Sequence, residues 1–532
     1  KGILNPGKIV GPDPSREAWP LRQQHKCRLP AERVAIPQPA TGNPETPTRS
    51  ASRLHSEDRE RPAEEATRPS SAHPSLLTPL LVWPSAPAAE VARCNGCGDC
   101  RTRTAPERMC PSFRATGLEP ASPRGLANLL AVIADPTAAT PDEIREAAEW
   151  CVNCKMCRDG CPAKVNVPKL MLEAKGQRFA EHGFERGDWA LARAEGLAIL
   201  ASNFAPLVNP LLGRRSFRWV LEKLLGVSRA RRLPGFSVRT FFRRARGLGL
   251  TRKPQVNAPP SPVSADLRPD DLRPATRRVA LFVDTFAAYC DPTIGTAAVA
   301  VLQHNGIEVY VPTRQVGSGV GPLVRGDLEA AREHAIRNVR VFVDLVREGY
   351  RVVCLEPTSA LMLRQDYLDL LNDPDATALA ANAVELTTYL GELRAAGKMR
   401  TDFRPLDLQL GHHVPCHLKA LRGPVRAPEL LSLIPGVRVH PIDAGCSGMA
   451  GTWGLKVDNH SVSLSAGAGM MAELDRPRVL FGATECGGCR MQMEHGSGKR
   501  TLHPVQYLAY AYGLLPELED RLRRPLGDLV SD

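Results

Sequence analysis

Eight of the fifteen cysteines of this chain fall between Cys94 and Cys161, and their spacing constrains the fold more than any other feature. They form two runs, each with three cysteines at every third position and a separate Cys-Pro pair. The first run comprises Cys94, Cys97, Cys100 and Cys110, and the second comprises Cys151, Cys154, Cys157 and Cys161. In a chain without an export signal, such runs indicate thiolate metal ligands rather than disulfides.

Zinc and iron–sulfur clusters are the two kinds of centre that use this spacing. Zinc sites usually need only two C-x-x-C pairs, so two triplets with Cys-Pro partners favour iron–sulfur clusters. The second run matches the bacterial ferredoxin pattern, in which the cysteine before proline ligates the other cluster. We therefore predict an α-helical dicluster ferredoxin domain over residues 91–175 with two [4Fe-4S] clusters. One cluster is assigned to Cys94, Cys97, Cys100 and Cys161, and the other to Cys151, Cys154, Cys157 and Cys110.

The rest of the chain divides by composition and hydrophobic period. Residues 1–90 hold 15 of the 47 prolines, which predicts a disordered linker over residues 13–90. Residues 140–143 read Thr-Pro-Asp-Glu and predict the start of a helix that runs to Cys151. Residues 176–275 are predicted to be a helical and then basic linker.

After residue 276, short β-rich runs alternate with helical stretches. Strands are predicted at 279–284, 307–311, 352–355, 408–414, 437–442 and 479–482, with helices at 328–346 and 461–474. This alternation indicates an α/β region with largely parallel strands. Two similar halves, 276–400 and 401–515, followed by a tail over 516–532, are the simplest interpretation.

Several of these segments resemble the C-terminal half of large FAD-linked oxidases. They are the stretch from Cys94-Asn-Gly to Met-Cys110-Pro-Ser, the run Cys151-Val-Asn-Cys-Lys-Met-Cys157, and everything after residue 276. The family includes D-lactate and D-2-hydroxyglutarate dehydrogenases and glycolate oxidase, and the iron–sulfur subunit of anaerobic glycerol-3-phosphate dehydrogenase is similar. Residues 1–12 resemble the closing segment of the flavin-oxidase portion, whereas residues 13–90 match nothing in it.

The second half of the chain resembles the duplicated cysteine-rich "CCG" domain of the same families and of heterodisulfide reductase. Each family repeat has a cysteine, then Cys-Cys-Gly, then C-x-x-C. The second repeat here keeps this order with Cys416, Cys446-Ser447-Gly448, Cys486 and Cys489, except that one paired cysteine is Ser447. The first repeat is degenerate, since Ser318 and Ser359 stand where cysteines are expected, and it is assigned a structural role.

The resemblance implies a further metal or cluster bound by Cys416, Cys446, Cys486 and Cys489, which follow predicted strands and should converge at the strand carboxyl ends. The alternative is four reduced, partly buried core cysteines. Neighbouring histidines are more often core or surface residues than ligands; these are His412, His413, His417, His495 and His503. Cys27, Cys290 and Cys354 are expected to be ordinary thiols.

The net charge of +12 is concentrated in residues 214–253, which hold thirteen Lys or Arg and one acid, Glu222. Apolar residues such as Trp219 and Phe241 alternate with the arginines. This pattern suits a basic amphipathic helix on an anionic membrane surface. It equally suits an Arg-rich face that packs against a missing domain or a partner subunit. No nucleic-acid partner is predicted, because no accompanying module is visible.

The resemblance implies an oxidoreductase component that passes electrons from a flavin through two [4Fe-4S] clusters to a quinone or other acceptor. The flavin would be reduced by a 2-hydroxy acid or glycerol 3-phosphate. No flavin-binding segment is visible, so FAD is expected in a missing domain or partner and no catalytic residue is assigned. The alternative is a stand-alone iron–sulfur scaffold or thiol–disulfide reductase component of the heterodisulfide-reductase type, with Cys486 and Cys489 as the redox pair.

Location is predicted from the absence of an export pattern and of any window of about 18 apolar residues. The chain is expected to be cytoplasmic, or peripheral on the inner face of the membrane. Because its first residue is Lys1, it is alternatively a piece of a longer product.

Overall fold

The computed structural model describes residues 79–102, 110–132, 146–184, 186–253 and 277–530. It is rich in helices and contains two parallel sheets. The segment 1–12, Cys27 and the predicted helix start at 140–143 lie outside the described residues. Residues 146–149 are helical and end just before Cys151, as the sequence predicted.

The cysteine-rich block, residues 91–175, is built from short helices around a small apolar core. Val91, Leu126, Leu130, Leu170 and Met171 are buried in that core. Single 3-10 turns occupy Asp99–Arg101 and Glu119–Ala121. The α-helices are Pro87–Ala92, Pro111–Thr116, Pro123–Val132, Met156–Gly160 and Val167–His182.

Residues 79–90 differ from the disordered linker that their composition predicted. The carboxylate of Glu173 accepts hydrogen bonds from the backbone N–H of Leu81 at 3.1 Å and from the indole N–H of Trp83 at 3.0 Å. Leu81 is buried in the core of the first repeat. The buried carboxylate of Glu173 thus fixes this segment. The proline content of the segment gives no sign of this distant hydrogen-bond acceptor.

Residues 186–253 were predicted to be a linker, but they pack against the rest of the protein. Their helices are Arg186–Ala192, Ala194–Asn203, Ala205–Gly213, Arg215–Leu225 and Phe241–Gly247. Phe241 is fully buried in the main core, and the buried Arg231 donates to the carbonyl of Gly454 at 2.8 Å. The basic segment is therefore not one amphipathic helix: Gly226, with φ of 62°, ends its first helix.

No single helix of the described ranges is long and apolar enough to cross a membrane. Ala194–Asn203 and Ala205–Gly213 meet that criterion only as a pair, and they are bent by 111° at their junction.

The two repeats have the same sheet topology. The first sheet has strands β1 (Arg278–Phe282), β2 (Glu308–Tyr310), β3 (Arg351–Cys354) and β4 (Ala383–Glu385), in the order β2-β1-β3-β4. The second has β5 (Leu408–His413), β6 (Val437–Ile442), β7 (Phe481–Ala483) and β8 (Thr501–Leu502), in the order β6-β5-β7-β8. All pairings are parallel, as the alternation of strands and helices predicted. Strands β4 and β8 were not predicted, because two or three residues are too few to show a period.

Helices cover both sheets, and the two repeats share one core that includes Leu281 and Tyr507. Both predicted helices are confirmed, at Leu328–Arg347 and His460–Leu474. The other helices of the first repeat are Phe286–Cys290, Pro292–His304, Val320–Arg325, Pro357–Leu361, Met362–Asp366, Tyr367–Leu370, Pro374–Asn382 and Leu386–Ala395. Those of the second repeat are Cys416–Ala420, Ala427–Leu431, Trp453–Leu455, Gly487–Ser497 and Pro504–Ala511.

The residues predicted to be a tail are also packed. Helix Leu518–Arg523 follows the second repeat, and Leu518 and Val530 are buried. Arg521 forms an ion pair with the buried Asp291 at 2.9 Å, which ties the end of the chain to the first repeat.

Candidate metal centres

The two cysteine triplets have the same loop conformation. Gly96 and Gly98 lie between the cysteines of the first triplet with φ of 71° and 81°. Asn153 and Lys155 occupy the same positions in the second triplet with φ of 52° and 61°. This left-handed region costs a non-glycine residue about 1–2 kcal/mol. Both loops therefore curve in the same way, and the second does so against the preference of its residues.

Cys110 lies with the triplet of the second run, although it belongs to the first run in sequence. The pKa of the Cys110 thiol is raised to about 12, chiefly by burial and in part by the charge of the neighbouring Cys151. Burial also raises the pKa of Cys154, and Cys110, Cys446 and Cys151 add to that effect. The same holds for the pKa of Cys157, with Cys154 and Cys110 among its neighbours.

Backbone N–H groups point at these sulfurs. Asn153 donates to Cys151 and Met156 to Cys154, and each bond lowers the pKa of its thiol against the effect of burial. Phe113 and Ser112, in the first turn of helix Pro111–Thr116, do the same for Cys110. Hydrogen bonds to sulfur stabilise thiolates and tune iron–sulfur clusters. The donor set therefore fits a cluster bound by four thiolates.

The first triplet is more exposed than the second. The pKa of Cys100 is raised to about 12, chiefly by burial and in part by the charges of Cys94 and Cys97. Cys161 packs against the core of the cysteine-rich block, as Cys94 does. Its ligation to the first-triplet cluster stays a prediction. Within the described ranges, no three Cys, His, Asp or Glu side chains are grouped to hold a single metal ion; in a cubane, the thiolates bind different irons.

The four cysteines of the second repeat interact with one another at the carboxyl edge of the second sheet. Cys416 follows β5, Cys446 follows β6, and Cys486 and Cys489 follow β7. The thiols of Cys416 and Cys446 share a hydrogen bond, and so do those of Cys486 and Cys489. The charges of Cys416 and Cys486 also act on each other. Metal binding by this group stays a prediction.

A cavity of about 190 Å³ lies where this group meets the second triplet. Its lining includes Cys154, Cys416 and Cys446, with Arg114 and Lys419, and Cys154 and Cys416 also pack in one apolar cluster. The sulfurs of the cysteine-rich block and of the second repeat therefore face a common space.

The pKa values of Cys446 and Cys489 are shifted in opposite directions. The hydrogen bond with Cys416 lowers the pKa of Cys446 to about 7, and the N–H of Gly448, 3.2 Å from its sulfur, lowers it as well. Cys489 has a raised pKa, because of the hydrogen bond with Cys486 and burial, and accepts a hydrogen bond from the Ser447 hydroxyl at 3.2 Å. The side chain of Ser447 thus lies next to the sulfur group.

In the first repeat, the two serines expected to stand in place of cysteines, Ser318 and Ser359, lie beside a carboxylate. The Ser359 hydroxyl donates to the Asp284 carboxylate at 2.7 Å, and the backbone N–H of Ser318 lies 3.3 Å from the same group. Cys290 and Cys354 are buried, and their role as ordinary thiols stays a prediction. The sequence analysis missed Asp284, because a single aspartate after a strand has no distinctive spacing.

Three of the neighbouring histidines bond to protein groups. His412 Nε2 lies 3.0 Å from Glu485 Oε1, and His503 Nε2 lies 3.1 Å from the carbonyl of Leu355. His417 bridges the carbonyl of Asn153 at 3.1 Å and the hydroxyl of Thr358 at 2.9 Å. His417 therefore joins the second triplet to both repeats.

Comparison with known proteins identifies the cysteine-rich block. Residues 90–165 match the family described as 4Fe-4S dicluster domain. The chain is 27% identical over 351 residues to a subunit of the anaerobic glycerol-3-phosphate dehydrogenase of Escherichia coli (strain K12), an alignment that covers 66% of this chain and 83% of that protein. It is 23% identical over 450 residues to the "Probable glycolate oxidase iron-sulfur subunit" of Bacillus subtilis (strain 168), covering 80% of this chain and 94% of that one.

A larger enzyme is also similar. D-2-hydroxyglutarate dehydrogenase of Pseudomonas putida is 24% identical over 475 residues, covering 81% of this chain but only 44% of the enzyme. The chain is related to the iron–sulfur half of FAD-linked oxidases. It is accordingly an iron–sulfur protein with an electron-transfer role, as the sequence predicted.

The dicluster domain contacts both repeats of the iron–sulfur half. Arg158 donates to the side chain of Gln365 in the first repeat at 2.7 Å. The indole N–H of Trp453 in the second repeat donates to the carbonyl of Glu149 at 3.1 Å. The loop of the second triplet, which lies between Glu149 and Arg158, is thereby held against both repeats.

Proposed function

We propose that this chain is the iron–sulfur component of an FAD-linked dehydrogenase, and that it passes flavin electrons through two [4Fe-4S] clusters to a quinone or other acceptor. The substrate class is a 2-hydroxy acid or glycerol 3-phosphate. The names of the relatives, as subunits of glycerol-3-phosphate dehydrogenase and glycolate oxidase, support a separate flavoprotein domain or subunit as the electron donor.

The cluster ligands are proposed as two crossed sets. Cys110 with the triplet Cys151, Cys154 and Cys157 would bind one cluster, and Cys161 with Cys94, Cys97 and Cys100 the other. When bound, each cluster supplies a one-electron redox centre. The residues of this chain hold the sulfurs in a buried setting and donate backbone N–H groups to them, which tunes the reduction potential.

The proximity of Cys446 to Cys110 and Cys154 is the observation that carries the proposal. The charge of Cys446 acts on the pKa values of both thiols, so the second repeat lies within electrostatic reach of the second triplet. An electron carrier needs its centres close together and shielded from solvent. This juxtaposition supports a chain of centres that runs from the dicluster domain into the second repeat.

Metal analysis and reduction of the anaerobically purified protein test this function. About eight irons with equal acid-labile sulfide are expected from the dicluster domain. A flavoprotein partner with its substrate should reduce the clusters, and a quinone analogue should reoxidise them. Cys154→Ala should lower the iron content by about half, whereas Cys354→Ala, a buried thiol in the first repeat, should leave it unchanged. Equal iron in the two variants would contradict the ligand assignment.

The four cysteines of the second repeat are proposed to bind a further metal or cluster. Hydrogen bonds lower the pKa values of Cys446 and Cys486, and the cation Lys419 lowers that of Cys446 further, which supports thiolate character at two of the four positions. Four buried thiolates repel one another unless a metal or protons neutralise them. Iron in excess of the dicluster content, lost in Cys486→Ala, is the expected result.

Thiol–disulfide exchange is the second candidate function, and the hydrogen bond between Cys486 and Cys489 favours it. The C-x-x-C pair would then cycle between dithiol and disulfide, with two electrons supplied by the clusters. A reversible two-electron titration of Cys486 and Cys489, in a full chain that holds no metal in the second repeat, would support this candidate. Retention of metal under the same conditions would support the metal centre.

We propose that the chain also associates with a membrane surface, where a quinone acceptor would be available. The exposed arginines of residues 214–253 would bind anionic headgroups, each contributing about 1 kcal/mol that salt screens. Deletion of this segment would also remove the buried Phe241 and Arg231. Reversal of exposed charges, as in Arg214→Glu with Arg215→Glu, is therefore the cleaner test. Vesicle binding should weaken in the variant, and the segment would be assigned to partner docking if binding did not change.

A further inference from the structure

An uncharged stretch lies immediately before the basic segment. Residues 196–213 contain no Asp, Glu, Lys or Arg. They cover most of helix Ala194–Asn203 and the whole of helix Ala205–Gly213. Leu200, Phe204 and Leu207 expose 57%, 54% and 68% of their surface. Large apolar side chains with this exposure, concentrated in one stretch, mark an interaction surface.

The exposed apolar side chains have helical spacing. Leu197, Leu200 and Phe204 follow one another at three and four residues, and Leu207 and Leu211 at four. The opposite sides face the protein, because Ala198 and Leu212 are buried. Each helix thus turns one apolar face inward and a second one outward.

Neighbouring helices extend this surface. Arg186–Ala192 contributes the half-exposed Trp189, and Arg215–Leu225 contributes the exposed Trp219 and Leu224. Successive helices in this group contact one another. We call the side chains Trp189, Leu197, Ile199, Leu200, Phe204, Leu207, Leu211, Trp219, Val220 and Leu224 the apolar surface.

The acidic residues of these helices are engaged with the protein. Asp188 forms an ion pair with Arg325, Glu195 accepts from the backbone N–H of Gly317 at 2.7 Å, and Glu222 accepts from that of Arg229 at 2.9 Å. They are the only acids between residues 186 and 225.

Cations border the apolar surface at both ends. Arg193 precedes the uncharged stretch, Arg214 and Arg215 follow it, and all three are exposed. Arg243 of the basic segment donates to Asn203 at 2.8 Å, which places helix Phe241–Gly247 beside the same surface. Apolar side chains bordered by cations are typical of helices that lie in an anionic membrane interface.

The dimensions exclude a crossing of the bilayer by these two helices. Ten and nine residues extend about 15 Å and about 14 Å at 1.5 Å per residue. The hydrocarbon core is about 30 Å thick, and the 111° bend prevents the helices from adding their lengths. A bent pair of this size fits within one leaflet.

We propose that helices Ala194–Asn203 and Ala205–Gly213 insert their exposed apolar side chains into one leaflet of an anionic bilayer, with Arg193, Arg214 and Arg215 at the headgroups. The inference rests on the proposed membrane association and names the element that enters the lipid. It adds a hydrophobic contribution that salt does not screen. The electron-transfer role is independent of it.

Vesicle binding by the cluster-loaded full chain tests the inference. Vesicles of phosphatidylcholine and phosphatidylglycerol in equal parts, with lipids brominated in the acyl chains, report both binding and depth. Brominated lipids should quench the tryptophan fluorescence, and Trp219→Phe should remove a large part of the quenched signal. A substantial fraction of the binding should persist at high salt, because apolar insertion is not screened.

Matched variants separate insertion from loss of folding. Leu200→Ser with Leu207→Ser should weaken vesicle binding by at least about tenfold, because the variant no longer transfers two leucine side chains from water into the lipid. Leu480→Ser alters a leucine of similar exposure in the second repeat and should bind as the unmodified chain does. Iron content should be unchanged in both, since exposed positions contribute little to stability.

The other outcomes overturn the inference in distinguishable ways. Binding that high salt abolishes and that the double leucine variant retains would leave only electrostatic docking. An absence of vesicle binding would refute membrane association altogether, while electron transfer from the flavoprotein stays measurable in solution. If the double leucine variant instead loses affinity for the flavoprotein in the absence of lipid, the apolar surface is a protein interface.

Discussion

The ammonium group of Lys155 forms an ion pair with the carboxylate of Asp366, and both side chains are almost completely buried. Lys155 lies between two cysteines of the second triplet, in the left-handed conformation, and Asp366 ends a helix of the first repeat. The pair therefore couples the position of a cluster loop to the first repeat, to which no cluster ligand is assigned. This gives the degenerate repeat a supporting role.

Loss of one partner of this pair should be strongly destabilising. Asp366→Leu leaves a buried ammonium group without a partner, and the free energy of unfolding should fall by about 3–5 kcal/mol. The double variant Lys155→Met with Asp366→Leu should lose much less, because neither charge remains. Urea denaturation followed by tryptophan fluorescence measures both. Asp375→Asn breaks the exposed pair with Arg347 and serves as a control, with an expected loss below about 1 kcal/mol.

Equal losses in the single and double variants would contradict this account. They would mean that the packing of the two side chains, rather than the unpaired charge, determines the stability of the interface between the dicluster domain and the first repeat.

Substitution of the two Cys-Pro cysteines should affect the clusters in a crossed pattern. Cys161→Ser should disturb the cluster of Cys94, Cys97 and Cys100, and Cys110→Ser should disturb that of Cys151, Cys154 and Cys157. EPR spectra of the reduced proteins distinguish the two clusters. The position of Cys110 beside Cys151 and Cys154 supports the second half of the prediction. A loss restricted to the cluster of its own run in either variant would reverse the assignment.

The hydroxyl of Ser447 should raise the reduction potential of the proposed centre in the second repeat. It donates to Cys489 Sγ at 3.2 Å, and a donor to sulfur stabilises the reduced, more negative state. Ser447→Ala should lower the potential by on the order of 60 mV, which corresponds to about 1.4 kcal/mol for one electron. Redox titration monitored by EPR measures the change.

The exposed Ser432 provides the matched control, since Ser432→Ala should leave every potential unchanged. A shift in the dicluster potentials instead of a separate signal would argue against a distinct centre in the second repeat.

The sequence predicted the features that depend on local spacing. The cysteine runs, the strand β1 and the helix Leu328–Arg347 each follow a period or motif within a short window. The features that it missed depend on partners far apart along the chain. Glu173 is about ninety residues from Leu81, and Lys155 is 211 residues from Asp366.

The left-handed conformation of Asn153 was missed for a related reason. The equal spacing of the two triplets places Asn153 at the position of a glycine in the first triplet, but an asparagine does not by itself require a left-handed conformation. The Pro-rich composition of residues 79–90 likewise predicted disorder, because composition carries no information about the distant Glu173 carboxylate that binds this segment. Tertiary contacts overrode local preference at both places.

Acidification should destabilise the protein below about pH 6.5 through its buried histidines. Burial lowers the pKa of His413 to about 3 and the pKa values of His417 and His503 to about 4, from the usual 6.5. The unfolded chain therefore binds more protons than the folded protein between these values and pH 6.5. The free energy of unfolding falls with pH in that window, by up to about 1.4 kcal/mol per unit for each histidine.

Comparison of His503→Asn with the unmodified chain isolates one of these contributions. His503 caps helix Pro504–Ala511 by accepting from the N–H of Val505 at 3.1 Å, and asparagine can replace that acceptor without titrating. Urea denaturation at about pH 7 and about pH 5 should give a smaller pH dependence for His503→Asn. His182→Asn, on the surface, should keep the full dependence. If both variants retain it, His503 is not among the groups that take up protons on unfolding.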